Sequence, residues 1–221
     1  MEKKRISGEA ALLFAILIDS MGVALMTKAN FGISSITSVP YAVHEMLPVL
    51  SLGTWTYIFQ TLLVASLMVL TRRFNANYLF AFVMGVFFGK MLDVHMLWIQ
   101  YLPDSLGWRI FYLAVSFCIL AVGICLSNNS GLPIVPTDTF PRDLSHILGK
   151  PYPQIKTTFD LICLATTAAV SLFGLHRLAG IGIGTVLCAC FTGKAIGLVQ
   201  RFLDRRVIFE RKVAPRFLRT V

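Results

Sequence analysis

The sequence predicts an all-α membrane protein: six transmembrane helices plus two short re-entrant segments, arranged as a 3+3 inverted repeat. Three observations lead there, namely apolar content, the placement of basic residues and a weak internal similarity. Of 221 residues, 56% are hydrophobic and 14% charged, and the mean hydropathy is +0.73. A soluble domain buries one core with less.

Six apolar windows reach the roughly 20 residues that a helix needs to cross about 30 Å of hydrocarbon. They run approximately Ala10–Met26, Leu52–Leu70, Leu79–Tyr101, Leu106–Leu126, Gln154–Leu175 and Leu178–Leu198. The start, MEKKRISGEAALLFAILIDS, is basic and then apolar like a secretory signal, but it has no small-residue cleavage site and carries Asp19 within the apolar run. It reads as a retained first helix. Five cysteines all fall in apolar windows, without C-x-x-C or a histidine at ligand spacing. No disulfide frame, metal or cofactor is predicted, and the cysteines read as small packing residues.

The net charge of +9 is concentrated rather than spread. Residues 201–221 alone hold seven Lys/Arg against Asp204 and Glu210, a basic cytoplasmic tail that anchors topology against anionic lipid. Nucleic acid is not a predicted partner; the lipid bilayer is. With six crossings and both termini cytoplasmic, fifteen basic residues lie inside and only Lys28, Arg109 and Arg177 outside, with Lys90 and Lys194 within helices. Eight crossings would expel Arg72 and Arg73 to the outer face, so six fit the positive-inside rule better.

That leaves the polar segments Ser34–Leu47 and Pro136–Leu148 without a full crossing. Fourteen or so residues of helix span about 21 Å, which suits an element that enters and leaves by one face. Its irregular backbone must be buried in protein or line a wet cavity.

Sliding the chain by 101 pairs GVALMTKANFGISSITSVPYAV with GICLSNNSGLPIVPTDTFPRDL, aligning Gly22 with Gly123, Leu25 with Leu126 and Pro40 with Pro141. One residue of slip pairs Phe59-Gln60 with Phe159-Asp160, and FFGK at Phe87–Lys90 recurs as FTGK at Phe191–Lys194. The order (helix, short polar segment with a proline, helix, helix ending in F-x-G-K) occurs twice, over about 8–101 and 106–200. Three crossings per unit invert the second unit relative to the first.

The motifs GISSITSVPYAV, GLPIVPTDTFPRDLS and GIGIGTVL together resemble the bacterial YczE/YitT-type integral membrane proteins, from about Gly22 to Gln200. The resemblance implies a small multi-pass protein of the bacterial inner membrane. It brings no site residues with it.

The site residues come from the cost of polar groups in lipid, about 2.5–3.5 kcal/mol for each ionisable side chain on insertion scales. Asp19 lies about 14 Å into the first helix with no basic residue within a turn, and reads equally as a protonated packing acid or as a coupling-ion contact. Lys90 and Asp93 share a helix face and can neutralise each other, as a structural or a functional pair. Lys194, the repeat partner of Lys90, has Gly197 where Asp93 stood, and either pairs with Asp138 or Asp160 or snorkels to the surface. Lys156 and Asp160, four apart, read as an interfacial salt bridge.

Ser34, Ser35, Thr37 and Ser38 in the first short segment, and Thr137, Asp138 and Thr139 in the second, either cap helix amides or touch a solute. The expected substrate site joins Ser34, Ser35, Thr37, Thr137, Asp138, Thr139, Lys90 and Lys194, with Asp19, Asp93, Asp138 and Asp160 as coupling-ion or proton residues. GIGIGT imitates a dinucleotide loop, but no strand precedes it, so close helix packing is the reading. GVFFG and GKAIG are G-x-x-x-G patterns for contact within the fold or across a homodimer. No nucleophile and base stand at recognisable spacing, so no enzyme is predicted. The expected function is a secondary transporter of a small anionic or zwitterionic metabolite; the alternatives are a substrate-binding membrane subunit of an ATPase-driven system and an accessory or scaffold protein.

Overall fold

The computed structural model describes the backbone of residues 4–72 and 76–210, and their side chains except at 4, 76, 152–153, 189–190, 193–194 and 210. Among the described residues, eight helices lie between two short strands: β1 (Lys4–Ser7), α1 (Gly8–Ala29), α2 (Ser35–Met46), α3 (Leu52–Thr71), α4 (Ala76–Ile99), α5 (Leu106–Asn129), α6 (Pro136–Leu148), α7 (Tyr152–Leu175), α8 (Ile183–Arg206) and β2 (Val207–Glu210). The order long, short, long, long occurs twice.

Among the described residues, five helices are long and apolar enough to cross a membrane: α1, α3, most of α4, α5 and most of α7. The protein is therefore an all-α, multi-pass membrane type. The sixth apolar window is placed differently from its expected start. The chain leaves α7 at His176, and α8 begins at Ile183 rather than near Leu178.

The reason for the shift is a glycine crossing. Ile33 N–H donates to the Gly180 carbonyl at 3.0 Å and Gly184 N–H to the Phe31 carbonyl at 2.7 Å. Gly32 has φ +99°, and a Cβ there would meet the Gly182 nitrogen, so only glycine lets these two strands of backbone touch. The GIGIGT run thus packs the turn before α8 against the turn before α2. The expected basic tail is also partly structured: Arg201, Asp204, Arg205 and Arg206 extend α8, and the next four residues form β2. Arg73, Arg211, Lys212, Arg216 and Arg219 lie outside the described residues.

Helix α1 lies antiparallel along α5. Gly8 fits against the Ser130 carbonyl, Gly22 against Leu120, and Gly123 against Asp19. At the far end Arg109 Nε donates to the Ala29 carbonyl at 2.9 Å, over the last turn of α1, where a cation suits the helix dipole. Helices α3 and α4 close on each other at Gly53 and Gly89, each without room for a Cβ. Gly85 and Gly89 of GVFFG therefore work inside the fold, whereas Gly197 of GKAIG has no atom of the chain within 4 Å of a Cβ built there.

The two short helices pack on long helices of the other half of the chain. On α2, Ser38 reaches Thr167 of α7, with the hydroxyls 2.7 Å apart, and Glu45 pairs with Arg177 just beyond α7 at 2.7 Å. On α6, Phe140 packs beside Val64 and Leu67 of α3. Finally β1 and β2 pair in parallel, Lys4 opposite Val207 through Ser7 opposite Glu210. That holds the residues before α1 and after α8 side by side, on one face of the helical body.

Candidate functional site

Helix starts differ in how they are capped. Ser7 accepts from Ala10 N–H at 3.1 Å at the start of α1, and Ser51 from Thr54 N–H at 3.1 Å at the start of α3, both at exposed positions. The starts of α2 and α6 have no side-chain cap, and neither do those of α5 and α7. First-turn amides without a cap present partial positive charge.

At α2 the hydroxyls close on their own turn. Ser34 Oγ and Thr37 Oγ1 are 2.9 Å apart, Thr37 donates to the Ser34 carbonyl at 3.2 Å, and Ser38 to the Ser35 carbonyl at 2.7 Å. Ser34, Ser35 and Thr37 are half-buried. At α6 the N-cap is Val135, whose side chain has no acceptor to offer. Asp138 and Thr139 N–H both donate to its carbonyl at 3.1 Å, and buried Thr139 sends its hydroxyl to the Ile134 carbonyl at 3.0 Å. Thr137 and Asp138 keep accessible surface.

Two enclosed acceptors flank this second start. Asp19 of α1 is 9% exposed, and its Oδ1 has no hydrogen-bond partner. It lies in the notch left by Gly123, near enough to Asp138 for the two charges to act on each other. Asp19 is the twelfth residue of α1, about 16 Å along it and so near the middle of the helix. Gln60 of α3 is 2% exposed with Oε1 unpartnered, and Gly85 of α4 faces both that oxygen and the ring of Pro136, the first residue of α6. An unpartnered buried acceptor costs about 1–3 kcal/mol, so two of them at one helix start need an explanation.

The nearby cations do not supply it. Lys156 is already paired with Asp160 at 2.8 Å and Arg142 with Asp143 at 3.0 Å. The expected Lys156–Asp160 bridge is therefore present.

The expected Lys90–Asp93 pair is corrected. Asp93 accepts from Ser51 Oγ at 2.7 Å and Gly53 N–H at 2.8 Å, covering the start of α3, where a carboxylate meets unpaired amides and a favourable dipole. Lys90 is exposed. The side chain of Lys194 lies outside the described residues. An apolar cluster of Ile36, Val39, Leu63, Phe159 and Cys163, with Phe59 and Phe140 against it, ties α2, α3, α6 and α7 together. The rings of Phe140 and Phe159 are 4.9 Å apart. The polar groups therefore gather chiefly at the start of α6 with Asp19. Gln60 was not among the expected site residues, although the internal alignment pairs it with Asp160 and so marks a polar position inside an apolar helix.

The model of a family of unknown function, DUF6198, matches residues 6–201. No curated protein and no solved structure matches the chain.

Proposed function

We propose a transport role for this chain, which belongs to the DUF6198 family of unknown function: a secondary transporter of a small polar solute. In this reading six helices cross the membrane as two inverted units of three, and the solute binds near the midplane where the short helices begin. The observation that carries it is the pair of enclosed, unpartnered acceptors, Asp19 Oδ1 and Gln60 Oε1, beside the uncapped start of α6. Discontinuous-helix transporters place substrate and coupling ions at such starts.

Three features support the arrangement. The element order repeats, α1 lies antiparallel to its counterpart α5, and the paired strands bring the two ends of the helical body to one face, as an even number of crossings requires. Both ends are proposed to be cytoplasmic in a bacterial inner membrane, in keeping with the basic residues there. Asp19 and Asp138 are the proposed coupling residues, exchanging a proton or sodium ion as the units move.

The test is solute flux in proteoliposomes under an imposed proton or sodium gradient, across amino acids, amines and carboxylates. Gradient-dependent uptake or efflux that Asp19→Asn abolishes is the expected result. Vesicles inert to every solute class under both gradients would overturn the proposal.

A further inference from the structure

Deepening that reading, and resting on it, we infer that the transported solute carries a protonated primary amine, received by Asp19, Gln60 and Asp138 at the start of α6. The first ground is the kind of atom on offer. Asp19 Oδ1 and Gln60 Oε1 are enclosed acceptors without a donor. Pro141 lies inside α6 and lacks the N–H that would bond to the Thr137 carbonyl, so a third acceptor in the first turn loses its helical donor. An ammonium group brings three N–H donors and no acceptor.

Charge gives the second ground. Four carboxylates, Asp19, Asp138, Asp143 and Asp160, stand around two cations, Arg142 and Lys156, and both cations are held by an acid other than Asp19 or Asp138. In a poorly solvated interior, carboxyls without a paired cation are neutralised by protons, which a cationic solute can replace and a carboxylate solute cannot. The dipole of α6 does not reverse this, because Asp138 in its first turn already answers the positive end.

Access supplies the third. Asp19 and Gln60 are enclosed, whereas Thr137 and Asp138 are only half-buried by exposed area, so the α6 start is the more accessible side of this group. The apolar cluster around Phe140 and Phe159 adjoins the same helix and suits an aliphatic or aromatic body behind the ammonium.

The experiment uses the full chain, purified in detergent, titrated at constant ionic strength with n-propylammonium, tetramethylammonium and propionate, reading thermal stabilisation and calorimetric affinity. Propylammonium is expected to bind saturably, while tetramethylammonium, which has the charge without N–H groups, and propionate do not. Asp19→Asn and Gln60→Leu are each expected to weaken propylammonium at least tenfold. If Asp19→Asn fails to fold, Gln60→Leu carries the same test. Stabilisation by propionate alone, equal binding of tetramethylammonium, or unchanged affinity in the folded variants would each overturn the inference. The two proposals fail separately: amine bound at Asp19 but never moved across proteoliposomes sinks the transport role alone, and gradient-driven movement of carboxylates alone sinks the amine.

Discussion

Helices α2 and α6 share a backbone design and differ in what surrounds it. They have 12 and 13 residues, each lacks a side-chain cap, and each has a proline at its sixth position, Pro40 and Pro141. Around α2 the polar atoms are mutually satisfied, Ser34 with Thr37 and Ser38 with Thr167, and its first turn holds no acid. Around α6 two acceptors from α1 and α3 remain open, and the first turn contributes Asp138. A short helix in the interior creates the opportunity for a binding site, and in the proposed reading the unmatched side chains from neighbouring helices favour α6 over α2. Satisfied groups at α2 stabilise the packing; the proposed ligand is what would satisfy the open groups at α6.

This contrast can be broken or sharpened by substitution. Of substitutions on the two short helices, the largest effect is expected for Asp138→Asn, which should lower transport about 100-fold, on the order of 3 kcal/mol, while Ser35→Ala on α2 changes it less than about twofold. Comparable losses from both, measured as initial flux, would erase the distinction. Gly123→Val should follow, because the added side chain meets the Asp19 carboxylate; a loss of about 1–3 kcal/mol in stability is expected from denaturant or thermal melts.

Gln60→Leu should move stability and binding in opposite directions. Removing an unpartnered buried acceptor is expected to stabilise the fold by about 1 kcal/mol while weakening the ligand, a split that a purely structural glutamine would not show. On the α2 side, a double-mutant cycle of Ser38→Ala and Thr167→Ala should give a coupling of about 1 kcal/mol with unchanged solute affinity. Smallest is Lys90→Ala, expected within about 0.5 kcal/mol at its exposed site, whereas Asp93→Ala should cost about 1 kcal/mol by uncovering α3.

Local grammar made the short helices readable in the sequence. The segments Ser34–Leu47 and Pro136–Leu148 correspond to Ser35–Met46 and Pro136–Leu148, because Gly32, Gly131 and Gly149 break the helix around them at positive φ. Asp138 was legible for the same reason, standing in a first turn that the sequence announces. What escaped were partners distant in sequence. Spacing alone placed Asp93 with Lys90, but the carboxylate turns to amide and hydroxyl donors 40 and 42 residues away. Nothing local tells Asp19 that Gly123 will leave it a notch, or Gln60 that Pro136 will start a helix beside it. The late start of α8 escaped likewise, since it follows from Gly182 crossing Gly32, 150 residues apart.

The parallel strand pair has a consequence for biosynthesis. Lys4 meets Val207, a partner synthesised 203 residues later, so at about 5–20 residues per second the first strand waits on the order of 10–40 s for its mate. During that interval its edge is open beside the emerging helices, and the clasp can form only after α8 has been made. Closure between the two ends therefore follows synthesis of the described helices and contributes nothing to their early insertion.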